Sequence, residues 1–524
     1  MNAAISFLLL LPATLMVAAA FLPNPWVNAN VKMFRGLVTS LAGLQCAIAA
    51  GLLIAMALGG MNAIHAVVMS FSRDWPIALS VHYDGISSLM FALVSFVSWV
   101  ICRYSIRYLD GESTQGRYFR WTAFTVGSVS LLVISGNLLM FLATWILTSL
   151  GLHQLLLHYG HRSAAQRAAW TKFLISRLGD TALIAAVGML YFEFKTLDFE
   201  ELFAAVGALT TVPASLNAAG VLLIVGAATK SAQFPFHTWL PHTMETPTPV
   251  SALMHAGIVN AGGYLIIRTS PLVAATPWAL TVLAIIGAFT ACFAAIVMVT
   301  QTSIKKSLAY STIAQMGFML LQCGLGAYSA AMLHILAHSL YKAYAFLSSG
   351  SVLQEQPAGV GPASTYGAAS AVKLAAVGSV MIALLGIAYS AFGIDPVSKA
   401  GGLLLGGILC LALTHWIGQV MHSGTPELVV RAMLIASFLC FLYVGSYFVV
   451  DTMIASSLPV SSQPRLLWFV ATVVIAGFAG MLSLQLALAS GRRSANLSRW
   501  QVHAANGFYV ESLLRRVFAP LASR

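Results

Sequence analysis

The sequence predicts an all-α polytopic membrane protein with about 14–15 transmembrane helices. The chain has 524 residues, of which 59% are hydrophobic and only 8% are charged, whereas soluble proteins carry about 25% charged residues. Apolar stretches of about 18 residues or more recur along the whole length, and such stretches are typical of helices that cross a bilayer.

The expected spans follow one another with short connections. The first has no positively charged stretch before it, so we interpret it as a span rather than a signal peptide. The spans lie near 4–21, 36–58, 86–102, 121–135, 138–157, 173–192, 219–236, 249–267, 278–300, 308–326, 330–353, 374–394, 402–421, 432–450 and 466–489.

The order of the spans divides the chain into five regions. Two groups of five spans, at 121–268 and 278–421, would run in opposite directions because five is odd. We therefore expect two inverted five-helix repeats with broken helices, an arrangement that builds many transporters. The other regions are N-terminal transmembrane helices at 1–120, C-terminal transmembrane helices at 428–490 and a cytoplasmic amphipathic helix at 494–520.

Charge and cysteine usage narrow the class of protein. The net charge of +12 is explained by membrane topology rather than by nucleic acid, because basic residues fall in alternate loops. The positive-inside rule then predicts a cell (inner) membrane protein with its N-terminus outside and its C-terminus cytoplasmic. The six cysteines are isolated in apolar spans, which disfavours disulfides and an iron–sulfur site. We expect no metal or cofactor in this chain.

One apolar span carries three proton-binding groups. In LHILAHSLYKAYAF, His334, His338 and Lys342 are spaced four and four, so a helix places them on one stripe. A charge at the bilayer centre costs about 2.5–3.5 kcal/mol, so these groups should face the bundle interior. They could simply hold helices together, but imidazole titrates near neutral pH, and we favour a path for protons.

A second site is expected around Lys230, which lies inside another apolar span. Pro235 cannot continue the helix, whereas Thr248 and Pro249 favour the start of a new one that carries His255. Broken helices at membrane depth usually line polar cavities. We therefore interpret this segment as part of the same path rather than as a plain kinked span.

A third feature is LISRLGD, in which Arg177 and Asp180 are three residues apart on one helix. A local ion pair would explain them. The functional interpretation makes Asp180 a movable counter-ion for Lys230, because a nearby carboxylate stabilises a protonated amine.

Five further histidines show no pattern that indicates a metal site or a catalytic site. His153, His158 and His161 lack a fixed carboxylate or cysteine to complete a zinc site, and His237 and His242 receive the same interpretation. We expect them at the mouth of the path or in contact with a partner. No catalytic residues are expected, since the chain is interpreted as a transporter subunit.

Several motifs resemble the antiporter-like membrane subunits of respiratory complex I, of the NuoL type, and of Mrp cation/proton antiporters. They are TKSAQFPFHTWLPHTMETPTPVSALMHAG, HILAHSLYKAYAFLSSG, KKSLAYSTIAQMGFM, VHYDGISSLM and FLISRLGD. The resemblance implies a fourteen-helix-type core and a line of protonatable residues across the membrane centre. It assigns Lys230, His255, His334, His338 and Lys342 to that line, with Asp180 as the switching partner of the first lysine.

The chain departs from the family pattern at three places. Ile146 follows Trp145 where these subunits usually carry a glutamate, and His242 stands where they usually carry an aspartate. The later block is eroded to GIAYSAFGIDPVSKAGG, in which Lys399 is the candidate for the family's second-half lysine.

The length of the chain, its eroded motifs and the stretch ANGFYVESLLRRVF are most similar to DabB, the membrane subunit of two-part inorganic-carbon transporters. That resemblance implies a cation path that energises CO2/bicarbonate accumulation by a DabA-like cytosolic zinc partner of the carbonic-anhydrase type. We favour protons over sodium, because a line of lysines and histidines lacks the carboxylate oxygens that hard cations prefer. The alternative is a proton-pumping subunit of an NADH–quinone oxidoreductase or an Mrp-type antiporter. A membrane scaffold without transport is the third hypothesis, and it predicts that the buried lysines are dispensable.

Overall fold

Each apolar stretch expected to cross a membrane contains a helix. The structure, a computed structural model, describes residues 2–70, 78–350, 371–395, 400–423, 425–459, 467–489, 495–513 and 516. Its helices are α1 Asn2–Ala18, α2 Asn24–Ala29, α3 Val31–Ala57, α4 Gly85–Tyr108, α5 Gln115–Val133, α6 Leu138–Leu156, α7 Ser163–Phe194, α8 Phe199–Gly207, α9 Ala214–Lys230, α10 Thr248–Ala256, α11 Ala261–Arg268, α12 Ser270–Ala274, α13 Pro277–Val299, α14 Ile304–Gly324, α15 Tyr328–Leu347, α16 Ala371–Ala391, α17 Ala400–Ser423, α18 Pro426–Ile454, α19 Leu467–Ala489 and α20 Ala495–Ala505.

The helices confirm the multi-pass membrane class. Within the described residues, nine helices are long and apolar enough to cross a membrane by length and composition. Shorter apolar helices include Ala214–Lys230, Leu405–Met421 and Trp468–Met481. The expected total of 14–15 spans counts these shorter helices and more polar ones as well.

The structure also contains a β-hairpin, which the all-α prediction did not include. Strand β1, Ile64–Ser70, pairs antiparallel with β2, Ala78–Tyr83, and His65 lies opposite His82. The backbone N–H of His82 also donates to the carbonyl of Ile134 at 3.0 Å. This hairpin was not predicted, because strands of six or seven residues are much shorter than the apolar stretch of a membrane span.

The predicted helix break is confirmed. Helix α9 ends at Lys230, and two 3₁₀ helices, Phe236–Trp239 and Pro241–Glu245, precede α10 at Thr248. A further 3₁₀ turn, Ile258–Asn260, separates α10 from α11. The irregular backbone therefore begins directly after the buried lysine.

The expected amphipathic helix at 494–520 is not one helix. Helix α20 ends before Asn506, and a 3₁₀ turn follows in which Gly507 and Phe508 have left-handed φ angles of 58° and 51°. A glycine in this conformation commonly ends a helix because it has no side-chain clash there. Residues 510–513 then resume a helical course.

The two predicted five-helix groups meet through α10 and α15, which pack against each other. Within the groups, α5 packs on α6, α7 on α9 and α13 on α14. The inverted relation between the groups stays a prediction. Lys399 lies outside the described residues, as do 351–370.

Helices α7 and α9 approach closely beside the first lysine. A Cβ atom placed on Gly179 would lie 2.1 Å from Oγ1 of Thr229. The lack of a side chain on Gly179 thus permits the contact that brings Asp180 and Lys230, the next residue on each helix, to the same interface.

A buried ion pair joins α4 to α11. The guanidinium of Arg268 donates to both carboxylate oxygens of Asp84, at 2.9 and 2.8 Å, and also to the hydroxyl of Ser87. Asp84 caps α4 by accepting from the backbone N–H of Ser87 at 2.9 Å. Sequence reasoning assigned no role to this pair.

We predict that Gly179→Ala lowers the free energy of unfolding by about 1–3 kcal/mol, because a methyl group would be forced into a filled interface. Gly188→Ala on the same helix is the control, since nothing lies within 4 Å of its added Cβ. Thermal unfolding in detergent measures both variants. Equal melting temperatures for the two would contradict the proposed packing constraint.

We also predict that Asp84→Asn costs about 3–5 kcal/mol of unfolding free energy, because it leaves the buried guanidinium unpaired. Asparagine retains the helix-capping oxygen. Arg431→Gln, which breaks the exposed pair with Glu427, should cost about 1 kcal/mol or less. If both variants unfold alike, the buried pair does not stabilise the bundle as proposed.

Candidate ion path

Lys230 is buried, with 5% of the residue exposed, and is held by one neighbouring helix. Its ammonium nitrogen donates to the carbonyl of Trp145 at 3.2 Å and to the hydroxyl of Ser149 at 2.8 Å. It also lies 4.4 Å from the centre of the Trp145 ring. One turn of α6 therefore supplies the polar surroundings of this lysine.

Lys172 is a second buried amine at the same place, and sequence reasoning missed it. Its Nζ donates to the carbonyl of Ser149 at 2.7 Å, so both lysines contact one residue. The signal was present, because Lys172 and Asp180 are eight residues apart and share one face of α7.

Asp180 pairs with Arg177, as the local interpretation expected. Nη2 of Arg177 lies 2.6 Å from Oδ2 of Asp180, whose side chain is 5% exposed. Among the described residues, no carboxylate lies within ion-pair distance of Lys230. Asp180 is nevertheless close enough to act on Lys230 electrostatically, and its role as a switching counter-ion stays a prediction.

Lys342 is fully buried and its surroundings repeat those of Lys230. Its Nζ donates to the carbonyl of Leu308 at 3.1 Å and to the hydroxyl of Ser311 at 2.9 Å, both on α14. In each case a neighbouring helix offers one backbone carbonyl and one serine hydroxyl.

His255 lies beside Lys342 and is also fully buried. Its Nδ1 is 3.0 Å from Oγ1 of Thr312, the residue that follows the serine bound to Lys342. The ring stacks on Phe346 with centroids 4.3 Å apart. Its Nε2 has no hydrogen-bond partner within the described residues.

His338 and His334 continue the stripe along α15, with ring centroids 6.0 Å apart. His338 is 5% exposed, and its Nε2 has no hydrogen-bond partner within the described residues. Nδ1 of His334 lies 3.0 Å from Oε1 of Gln322. The predicted stripe thus lies together at the interface of α10, α14 and α15.

Buried polar side chains occupy the space between the two lysine sites. Ser231, next to Lys230, donates to the carbonyl of Val259 at 2.7 Å. Asn260, the next residue, donates to the hydroxyl of Ser339 at 2.7 Å, which adjoins His338. The side chains of Ser231, Asn260 and Ser339 are buried. Hydrogen-bonding side chains therefore adjoin both lysine sites, and a continuous connection between the sites stays a prediction.

A cavity of about 210 Å³ opens at the irregular segment and is partly covered by the chain's C-terminal part. His237 and His242 line it, and their position at the mouth of the ion path stays a prediction. Nε2 of His242 lies 2.8 Å from Oε2 of Glu511. The ring of His237 is buried between Phe234 and Phe293.

The other three histidines make no hydrogen bond with the buried lysines among the described residues. His158 is buried and its Nε2 lies 3.2 Å from Oε2 of Glu112, so it is not available to a partner at this surface. Nδ1 of His153 contacts the carbonyl of Ala169 at 3.3 Å. His161 is exposed and suits the predicted contact with a partner.

The family's missing glutamate has no substitute at its own position. Ile146 is partly buried against apolar neighbours. The acidic side chain that could serve the buried lysines instead of that glutamate is Asp180, on the adjacent helix α7. The neutral partners of the buried lysines and histidines could not be predicted from the sequence, because single polar residues in apolar helices are common. These partners are Ser149, Ser311, Thr312 and Gln322.

The comparisons with known proteins agree with the fold and with these motifs. Residues 135–398, about half of the chain, match the family described as NADH:quinone oxidoreductase/Mrp antiporter, TM. Residues 69–119 match the family described as NADH-Ubiquinone oxidoreductase (complex I), chain 5 N-terminus.

Curated relatives include two kinds of membrane subunit. "Probable inorganic carbon transporter subunit DabB2" of Halothiobacillus neapolitanus is 44% identical over 66% of this chain and 63% of that protein. The corresponding DabB of Hydrogenovibrio crunogenus is 41% identical over 58% of each chain. "NADH-quinone oxidoreductase subunit L" of Mycobacterium tuberculosis is 34% identical over 74% of this chain and 65% of its own. Each match spans less than two thirds of the relative.

Solved structures share the fold at low sequence identity. The Mrp complex from Dietzia sp. DQ12-45-1b superposes with a TM-score of 0.64 and 21% identity, over 98% of this chain and 59% of that chain. The archaeal membrane-bound sulfane sulfur reductase has a TM-score of 0.58 and 18% identity, over 94% and 99%. With the family match over half its length, the chain belongs to the NADH:quinone oxidoreductase/Mrp antiporter family of membrane subunits.

Proposed function

We propose that this chain translocates protons and that the flow energises inorganic-carbon accumulation by a cytosolic zinc partner of the carbonic-anhydrase type. The supporting observation is the buried path itself. Lys230 and Lys342 occupy matching polar surroundings inside the bundle, and imidazoles and hydroxyls continue between them. Charges at membrane depth are costly and mark ion pathways.

The side chains of the path favour protons over sodium. They are amines, imidazoles and hydroxyls, whereas hard cations prefer several oxygen ligands around one point. Asp180 is the one carboxylate beside the lysines in the described residues, and it is already paired with Arg177. A proton needs only exchangeable donors and acceptors in sequence.

Asp180 provides a means of directing each step. When its carboxylate pairs with Arg177, as observed, Lys230 is held by neutral oxygens alone. When the carboxylate moves toward Lys230, the protonated amine is stabilised. Alternation between the two arrangements would load and unload the first lysine, and the hydroxyl and amide groups at the break would pass the proton toward His338 and Lys342.

The carbon assignment is supported by the relatives. Three DabB proteins match at 44, 41 and 43% identity, against 34% for the NADH–quinone subunit. The name of those relatives as transporter subunits supports a second, DabA-like subunit. We place its docking surface on the side of the basic loops, where His161 is exposed and Arg162 pairs with Glu245 at 3.3 Å.

The alternative is a proton-pumping subunit of an NADH–quinone oxidoreductase or Mrp-type complex. The subunit L relative and the Mrp structure favour it, and it uses the same path. Affinity purification separates the two proposals. A zinc-containing soluble partner supports carbon accumulation, whereas several further membrane subunits support the alternative.

We predict that Lys230→Ala and Lys342→Ala each lower carbon accumulation at least tenfold, because each removes an amine from the proton path. Uptake of labelled bicarbonate by cells that make the chain with its partner measures the effect, at equal amounts of membrane protein.

Lys32→Ala is the matched control, because Lys32 is an exposed lysine at the start of α3, and its uptake should be unchanged. Normal uptake by both buried-lysine variants would overturn the proposed path. It would favour a scaffold in which these residues only fill the bundle.

A further inference from the structure

The hairpin and helix α8 bring two histidines and a glutamate together on the side of the bundle opposite the basic loops. Among the described residues, His65, His82 and Glu200 each offer a ligand atom, and these atoms all lie within 4.8 Å of one another. The three residues come from β1, β2 and the first turn of α8. None of them belongs to the proposed ion path.

The register of the hairpin fixes the two imidazoles face to face. His65 and His82 are directly opposite cross-strand partners, so their side chains lie on one face of the hairpin. Their Nδ1 atoms are 3.4 Å apart. Two nitrogen ligands of a tetrahedral zinc ion, each about 2.0–2.1 Å from the metal, are about 3.3 Å apart.

Carboxylates hold the far nitrogen of each ring. Nε2 of His65 lies 2.9 Å from Oδ2 of Asp198, and Nε2 of His82 lies 3.5 Å from Oδ2 of Asp84. A proton on each Nε2 satisfies these contacts and leaves both Nδ1 lone pairs directed at each other. Carboxylate–histidine pairs of this kind orient the histidine ligands of metal sites.

The two supporting carboxylates are themselves fixed. Asp198 caps α8 by accepting from the backbone N–H of Glu200 at 3.0 Å, while its other oxygen faces His65. Asp84 is held by Arg268. The hydrogen bond to Asp198 raises the pKa of His65 against the opposing effect of burial, as expected when a carboxylate makes an imidazole more basic.

Glu200 is the third candidate ligand, and it approaches the two histidines from the solvent side. Its Oε1 lies 3.9 Å from Nδ1 of His82, and its side chain is 57% exposed, so a rotation about its side-chain bonds can bring it to bonding distance. A cavity of about 320 Å³ borders the cluster and is lined by His65, Asn137, Asp198 and Glu200. It leaves room for a metal ion to enter and for a water as fourth ligand.

We propose that His65, His82 and Glu200 form a zinc site, in which the two Nδ1 atoms, one carboxylate oxygen and a water surround the ion. Asp198 and Asp84 act as positioning residues. The ion would tie both strands of the hairpin to α8, and the inference does not depend on ion translocation by the bundle.

Zinc binding to the metal-stripped, full-length chain without a polyhistidine tag tests the site, with a chromogenic chelator as competitor. We expect one zinc per chain and at least tenfold weaker binding by His65→Gln and by Glu200→Gln. Asp198→Asn keeps the helix cap and should weaken binding about 10–100-fold through loss of the positioning charge. Glu201→Gln, from the same turn, and His503→Gln, an exposed histidine, should bind as the parent chain does.

Two further readouts separate a built site from loose surface binding. Zinc should raise the melting temperature of the parent chain but not of Glu200→Gln, because a ligand stabilises the state that binds it. Cobalt(II) should give the intense visible bands of a four-coordinate ion. Less than one zinc per chain, equal affinity in His65→Gln and Glu201→Gln, or only six-coordinate cobalt would overturn the proposal.

Discussion

The cost of charge inside the bilayer is the constraint on which the rest of this structure depends. A lysine at membrane depth must be surrounded by oxygen acceptors or lose its charge. Here a neighbouring helix supplies them twice, as a carbonyl and a serine hydroxyl, to Lys230 and to Lys342. Close helix contacts follow from this need, because the acceptors must lie within hydrogen-bond distance of a nitrogen on another helix.

The broken helix also follows from the cost of placing polar groups inside the bilayer. Irregular backbone is tolerated at membrane depth only where it is buried in protein or lines a cavity. The end of α9 at Lys230 and the turn at Asn260 bring Ser231 to the carbonyl of Val259 and the Asn260 amide to Ser339. An unbroken pair of helices would satisfy its own backbone groups and leave no such polar connection.

The sequence alone predicted the features that follow from the pattern of a single helix. It did not predict contacts that form only when several helices pack together. The stripe of His334, His338 and Lys342 follows from helical spacing, and Pro235 marks the break. The neutral partners of the lysines were missed, since Ser149 and Thr312 become informative only when helices pack. The His65–His82–Glu200 cluster combines three distant segments, so no spacing signals it. The turn at Asn506–Gly507 had a local signal, and the expected helix at 494–520 overlooked it.

We infer that the two lysine sites form one proton path through the Asn260 region. The most direct test is proton flux, reported by a pH-sensitive dye, in membrane vesicles from cells that make the full-length chain with its partner. Asn260→Leu keeps the side-chain size and both lysines but removes the amide. For this variant we expect proton flux no higher than in vesicles without the chain, at equal protein amount and equal melting temperature. Undiminished flux would contradict it.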